Sequence, residues 1–512
     1  MRRKKQLFEN IPAHAGIVVA GAGFGGSLLS IILKQQGHDV LLLERSTHPR
    51  FTIGESSTPI ADMILRDLAQ TYGLEWLTPL SRYGSWKESY PELRVGLKRG
   101  FSYYFHEPDK PFSDDTRHAR SLLVAASNSD ESSDTQWYRP DFDAFLVQKA
   151  VEEGVAYYDQ TEITRVLDNG PGHPWYLSLR SGKRTHELSA DFIIDATGAD
   201  QLSRLLGVKP ADYAFHTSSA AVFSHVTNVP EWHSYLQEQG ISGTDTYPFH
   251  PDHAALHHLI DEGWLWMLRF SDGLLSAGFM LSWEDQKQLV RKSNHKLVQH
   301  LFQQYPSLNA LFDGAEIAQL PGKWLKTKPL QRMSQNAAGS GFALLPHSAG
   351  FVDPMHSTGI AITLCAIEKL ALLFREAKPG ETVNSYALDA YSISIMRELQ
   401  LIDVLVAGCY KTRRNPDLFE AWLSCYFTCS ISYEQARLKG ERPASFLNAM
   451  EQPVSSMIYE AWEHLLQLEK EGFPDAACHA FIEAMRRRIQ PWNIAGLLTP
   501  NQKMYAHTAV DL

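Results

Sequence analysis

Cysteine is scarce: five residues in 512, at Cys365, Cys409, Cys425, Cys429 and Cys478. No pair has the CxxC spacing of a zinc or redox motif, and no disulfide framework is visible, so they read as buried thiols in a reducing compartment, the cytoplasm, with no metal expected. A basic block is missing beyond the opening MRRKK. Lys plus Arg number 48 against 58 Asp plus Glu, a net charge of −10, which argues against nucleic acid as a partner. Long unbroken apolar runs are missing too. The stretch over 17–33 is interrupted by glycines, so no membrane span is expected, and MRRKK leads into QLFENIPAHAG rather than an apolar h-region, so no signal peptide is read. Repeats and low-complexity linkers are likewise absent. What is present is 44% hydrophobic and 21% charged, enough for two or more cores under one envelope.

The strongest pattern is GIVVAGAGFGGSLLSIILKQQGHDVLLLER. A short apolar strand (Ile17 to Ala20) runs into Gly21-x-Gly23-x-x-Gly26, then a helical run, then a second apolar strand (Val40 to Leu43) ending at Glu44. Such glycines permit a tight turn, close approach of backbone to a pyrophosphate and close packing of helix on strand, while the helix N-terminus faces the phosphates. Glu44, 23 residues after Gly21, is placed to take the ribose hydroxyls. Phe24, Gly25 and Arg45 belong to the same neighbourhood. The chain is expected to bind a dinucleotide.

Two later segments extend that site. ADFIIDATGAD (190–200) is an apolar strand ending at Asp195 and Gly198, and FALLPHSAGFVDP (342–354) is another, leading to Asp353 and a helix. Parts of one site spread so widely imply a Rossmann-type sheet with a large insertion. This organisation resembles the FAD-binding monooxygenase fold related to p-hydroxybenzoate hydroxylase. The resemblance implies FAD as the dinucleotide, Arg139 of WYRPDFDAFLVQKA along it, and Asp353 at its ribityl or pyrophosphate region. Pro346-His347 stands where that family commonly has Gly-Asp.

The coarse reading is an α/β protein. A Rossmann-type FAD-binding domain over 1–380 includes a β-rich substrate insertion over about 213–330, and a helical C-terminal region spans 381–512. Residues 84–105 and 121–126 carry strand-like apolar residues between turns. AAVFSHV, GWLWMLRF and LLSAGFML alternate as a sheet flooring a pocket would.

GESSTP (54–59), with Glu55 and Ser56, and DPMHSTGIA (353–361) resemble two segments of the flavin-dependent halogenases. In that family reduced FAD and O2 give a C4a-hydroperoxide, chloride or bromide attacks it, and hypohalous acid passes to a lysine that delivers halogen to an electron-rich aromatic ring. A separate flavin reductase supplies the reduced FAD, consistent with the lack of a second Gly-x-Gly-x-x-Gly. The resemblance implies a halide on the backbone N–H groups of Thr358 and Gly359, with Ser357 beside them. A helix N-terminus suits an anion, but Ser357 and Thr358 would equally serve as plain helix caps. His356 stands where some members carry a proton-accepting glutamate; it is either a base at neutral pH or a structural histidine.

Lys98 in GLKRGFSYYF resembles the delivery lysine of phenol and pyrrole halogenases, with Lys87 in YGSWKES as competitor. The Trp-x-Trp-x-Ile-Pro motif of the family reads here Trp264-Leu265-Trp266-Met267-Leu268-Arg269. The two tryptophans are expected on one face, walling a tunnel, with Arg269 on the other face if the strand is unbulged. Other readings of the same residues are a hydroxylating monooxygenase, an FAD-dependent reductase of an isoprenoid-like substrate, and a non-catalytic flavin-binding partner. The substrate is an aromatic small molecule or one tethered to a carrier protein.

Overall fold

The computed structural model describes residues 8–170, 172–283 and 292–508. The strands that frame the site are, in chain order, β1 (His14–Ala20), β2 (Val40–Leu43), β3 (Val95–Lys98), β4 (Gly100–Phe105), β5 (Ser121–Ala125), β6 (Asp134–Trp137) and β7 (Ala156–Tyr158). They continue with β8 (Glu162–Leu167), β9 (Trp175–Ser181), β10 (Arg184–Asp195), β11 (Ser219–Thr227), β12 (Ala255–Ile260), β13 (Gly263–Arg269) and β14 (Leu275–Ser282).

The all-apolar segments make a parallel sheet buried on both faces, as such composition requires. Its order runs from the short strands Ala338–Gly339 and Phe342–Leu344 through β10, β1 and β2 to β7. β10 is long enough to pair antiparallel with β9 through its first half and parallel with β1 through its second. The carboxyl ends of β1, β2 and β10 therefore meet at one edge, where open α/β sheets bind ligands.

A second sheet of nine strands lies across that edge, in the order Glu316–Ile317, β11, β14, β13, β12, β4, β5, Met504–Tyr505, with Leu325–Lys326 also on β11. Its pleat separates two populations. Phe101, Tyr103, Trp264, Trp266 and Met280 face the main core, while Tyr104, Leu256, Leu265, Met267 and Phe279 face a separate apolar cluster on the outer side. The sheet thus draws strands from outside the span 213–330 expected to supply it. β4 and β5 lie upstream and residues 504–505 far downstream.

One stretch with strand-like residues, 84–105, is strand only in its second half. Within 84–105, residues Tyr83–Ser89 form a helix, and strands begin only at Val95. The segment YGSWKES has one large apolar anchor, Trp86, which packs 5.2 Å from Phe142 and 6.3 Å from Trp137 between ring centroids, so no period-two pattern was there to hold it extended. Downstream, long helices Ser385–Thr412, Pro416–Leu438, Val454–Lys470 and Asp475–Ile489 follow the helix Thr358–Ala377. Their buried faces belong to the same core as the parallel sheet. No helix among the described residues is long and apolar enough to cross a membrane.

Candidate functional site

The glycine loop connects β1 to the helix Phe24–Gln35 with no room for side chains at two points. Gly21 has φ +101° and its missing β-carbon would sit 2.5 Å from the Ala196 carbonyl oxygen, while one at Gly26 would run into Gly21's own carbonyl. Gly23 caps the helix without any side-chain hydrogen bond, leaving first-turn N–H groups facing outward. A β-carbon at Gly23 would lie 3.5 Å from an Arg139 guanidinium nitrogen and 3.6 Å from one of Arg50. Bare backbone donors flanked by two cations make a cradle for a diphosphate.

Glu44, buried at the end of β2, accepts from the Ala22 and Ser46 amides at 3.0 and 2.9 Å and pairs with Arg50 at 3.4 Å. It therefore braces the loop as well as ending the strand. Arg139 forms a two-pronged pair with Asp143 at 2.8 and 3.0 Å and donates to the Gly54 carbonyl. The Arg139–Asp143 pair ties the glycine loop to GESSTP.

A cavity of about 490 Å³ opens from this cradle. Its wall takes Gly23, Phe24, Gly25, Glu55, Ser56, Arg139, Gly198, Asp353, Ser357, Thr358 and Gly359 of the expected residues, together with Trp264 and Trp266. Gly21, Gly26, Glu44 and Asp195 support that wall from behind. Asp195 accepts from the Thr197 amide and from the Thr197 and Ser348 hydroxyls at 2.7 to 2.9 Å. Arg45 is not brought in. It is exposed and absent from the wall, two residues beyond the end of β2.

The opposite wall is apolar. β13 pairs continuously with β12 and β14, so Trp264, Trp266 and Leu268 all face the cavity, and Phe223, Met280, Leu399 and Ile402 complete the surface. Arg269 turns to the other side as an unbulged strand requires, donating to the Val229 and Pro230 carbonyls at 3.1 and 2.8 Å.

At the far end stands the helix Thr358–Ala377. Its N-cap, Ser357, sits in the left-handed region (φ 53°, ψ 29°) and makes no side-chain capping bond. The plain-cap reading of Ser357 is thereby overturned, since a capping serine needs an extended backbone to reach the second or third amide. The N–H groups opening the helix face a cavity lined by Thr358, Gly359 and Ile360. Beside them Asp353 accepts from the Ser219 hydroxyl (2.7 Å), the Tyr410 hydroxyl (3.0 Å) and the Met355 amide (3.1 Å). Burial still pushes its carboxyl up to about 6.

His347, in place of the family's aspartate, also lines the cavity. Burial, with Arg332 and Arg139 nearby, lowers it to about 4, so it is neutral and bonded to the Thr363 hydroxyl at 3.2 Å. Arg332, which donates to the Gly198 and His347 carbonyls, is a wall residue that nothing in its local sequence marks. His257 is another: buried on β12, it joins the wall between Tyr103 and Trp264, at 4.8 and 4.9 Å.

Lys98 and His356 lie just outside the wall. Lys98 ends β3, is fully buried, donates to the Ser57 carbonyl and holds its Nζ 4.3 Å above the Phe101 ring. Burial lowers its ammonium to about 8 against the opposing pull of Asp134 and Asp62. Lys87 is half-buried on the helix Tyr83–Ser89, away from the cavity wall. His356 is sealed between Tyr426 and the Cys409 thiol, 3.8 Å from its Nε2, and burial drives it down to about 3. So lowered, it is a weak base at neutral pH, and it stands outside the cavity wall. The five cysteines are free and buried, and among the described residues no cluster could hold a metal ion.

A dinucleotide cradle that opens onto an apolar, aromatic-walled cavity defines a flavin-dependent oxidoreductase. The chain belongs to the tryptophan halogenase family, which it matches over residues 135–439, and residues 19–93 match the NAD(P)-binding Rossmann-like domain. It is thus an enzyme of the flavin-dependent halogenase type, with FAD as its cofactor. It is 26% identical over 430 residues to monodechloroaminopyrrolnitrin halogenase PrnC of Pseudomonas fluorescens, covering 82% of this chain and 72% of that protein. It is 23% identical over 369 residues to tetracycline 7-halogenase of Kitasatospora aureofaciens, covering 69% and 62%. Among solved structures, halogenase PltM in complex with phloroglucinol and FAD superposes with a TM-score of 0.83 at 22% identity, over 96% of this chain and 99% of that one.

Proposed function

We propose that this enzyme halogenates an electron-rich aromatic ring, with Lys98 delivering the halogen and a separate flavin reductase supplying reduced FAD. The observation that carries the reading is the cavity itself. One end is a diphosphate cradle, the other an uncapped helix N-terminus at Thr358-Gly359, and the wall between them is apolar. Bound reduced FAD, with O2, supplies the oxidising equivalent that makes a halide electrophilic. The remaining work falls to this chain's own groups. The N–H groups and positive dipole end of the helix hold chloride or bromide. Trp264, Trp266 and Phe223 keep water out and give hypohalous acid a dry path. Lys98, its ammonium already easy to deprotonate, offers a lone pair at neutral to mildly alkaline pH.

The proton lost from the ring has no acceptor in His356. The reading favours a substrate whose own hydroxyl oxygen or ring nitrogen pushes its lone pair into the ring as carbon takes the halogen, so that the ring proton leaves from a cationic intermediate acidic enough to give it up to water. Phenols, pyrroles and indoles meet that condition, free or tethered to a carrier protein; the halogenases of this kind include a pyrrole-2-carbonyl peptidyl-carrier-protein chlorinase, 22% identical over 355 residues. No nucleic acid is a partner in this reading.

The test supplies the protein with FAD, a generic flavin reductase, NADH, O2 and bromide, offers a panel of phenols, indoles and pyrroles, and seeks brominated product by mass spectrometry. Product in wild type and in Lys87→Ala, but not in Lys98→Ala while flavin still binds and reoxidises, is the expected outcome. Hydroxylated product independent of bromide would move the enzyme to the monooxygenase reading, and reduced flavin persisting in air to the reductase one.

A further inference from the structure

Behind Lys98 lies a group of charges that the reaction above does not use. β3 pairs with β6 so that Lys98 stands opposite Asp134, and β6 is joined on its other edge by the GESSTP segment through the Ser56 to Gln136 bridge and the bonds between Ser57 and Thr135. The helix Pro59–Tyr72 springs directly from that segment and brings Asp62 against Asp134. Both aspartates are buried, at 2% and 3% exposure. Asp62 Oδ1 and Asp134 Oδ2 have no hydrogen-bond donor. Two buried carboxyl groups in contact, each with an oxygen that accepts from no other group, repel as anions and are relieved when one carries a proton and donates it to the other.

We propose that Asp62 and Asp134 form a one-proton carboxyl pair that holds Lys98 as an ammonium directed at the Ser57 carbonyl and sets how readily its amine is freed for halogen transfer. Asp62 is the protonated donor, since burial and the Asp134 charge both raise it, and Asp134 is the anion that the Lys98 and Arg66 charges stabilise. The other groups facing the cluster fit this assignment. Arg66 flanks it from the helix Pro59–Tyr72 and Arg82 from the residues before Tyr83. His257 on β12 is neutral, lowered to about 4. Tyr426 on the helix Pro416–Leu438 is neutral too, its hydroxyl raised by burial. These are positioning residues: they touch neither substrate nor flavin and act through Lys98.

This proposal rests on Lys98 as the delivery group, and its test separates the two. Full-length protein carrying isotope-labelled lysine is titrated by NMR, with Lys98→Arg identifying the Lys98 resonance. Wild type is expected to titrate near 8. Asp134→Asn removes the opposing anion and is expected to weaken proton binding at Lys98 at least tenfold, about one pH unit. Asp62→Asn keeps a donor and keeps the wild-type midpoint. Asp62→Leu removes the donor, lets Asp134 take up the proton, and reproduces Asp134→Asn even if that variant fails to fold. The acid limb of kcat for bromination follows these midpoints with KM unchanged. A Lys98 midpoint common to wild type, Asp134→Asn and Asp62→Leu would overturn the pair, whatever the activity. Midpoints that move as stated in a protein that brominates nothing would leave the pair standing and remove the halogen-transfer reading.

Discussion

The imidazole of His356 lies flat on the Tyr426 ring, centroids 4.5 Å apart and planes 9° from parallel. That stack lies outside the cavity wall, and it shows how a histidine next in sequence to a halide segment can serve packing rather than proton transfer. A histidine lowered to about 3 costs stability only when it must be charged, so its penalty is felt as pH falls below the ordinary histidine value and is absent at neutrality. His356→Phe, which preserves the stack, is expected to keep the wild-type pH profile of product formation between about pH 6 and 8. His356→Ala should lower stability by about 2–4 kcal/mol through the void it leaves, read as a fall in Tm. A pH limb that vanishes in His356→Phe would restore the base role.

Asp353 supplies the reverse sign. Its carboxyl is raised from 3.8 to about 6, so the folded chain holds that proton more tightly than the unfolded chain does. The stability this contributes is fully present below pH 3.8 and lost as pH rises through about 6. The shift corresponds to about 3 kcal/mol. Asp353→Asn is expected to flatten the decline of Tm across that window in flavin-free protein, leaving the part due to Asp134, which titrates in the same range. An unchanged slope would show that Asp353 is charged throughout.

Gly278 on β14 lies directly behind Trp266, and a β-carbon there would overlap both the Trp266 ring and Phe223. Gly278→Ala therefore pushes the aromatic wall into the cavity without touching the glycine loop. Bulky aromatic substrates should lose kcat/KM roughly tenfold, the value of one or two displaced methylene-sized contacts, while FAD affinity measured by fluorescence stays at the wild-type value. A parallel loss of flavin would mean that the sheet, not the wall, had moved.

Ser357 makes no capping bond, so Ser357→Ala should change stability by less than about 0.5 kcal/mol, where a working serine cap would cost about 1. Because its φ is +53°, Ser357→Gly should stabilise by up to about 1 kcal/mol. Chemical denaturation of the three proteins decides it. A clear loss in Ser357→Ala would return the helix terminus to an ordinary cap.

The parts of the site that were legible in the sequence are those where backbone conformation dictates residue type. Gly21, Gly26 and Glu44 are fixed by a turn, a close contact and a loop brace, and each leaves a local trace. The alternation across Trp264, Trp266 and Leu268 was legible for the same reason, since a strand's period is short and local. The sequence left His356 open between a base and a structural histidine because its neighbours in sequence place it by the halide segment, whereas Tyr426 and Cys409, some 50 to 70 positions on, decide its surroundings. Asp62, Asp134, His257 and Arg332 escaped notice because only tertiary pairing brings them to the site. The helix at Tyr83–Ser89 was not legible, since a single tryptophan anchors it.

The sheet that floors the cavity is closed by residues 504–505, which pair with β5, while the Tyr505 hydroxyl bonds Glu420 and the Thr508 hydroxyl bonds Ala125. Strands from around positions 100, 220 to 280 and 505 thus share one sheet, and the loops between them must be closed before their contacts are gained. During synthesis the parallel sheet can begin to form once β10 and the strand at Phe342–Leu344 have emerged, whereas the cavity wall needs Leu399 and Ile402 and the edge of its floor needs residues 504–505. The face carrying Trp264 and Trp266 packs into a core shared with the helix Ser385–Thr412, where the Trp264 indole donates to the Tyr410 hydroxyl, so that face stays uncovered, and prone to stick to others like it, until that helix has emerged.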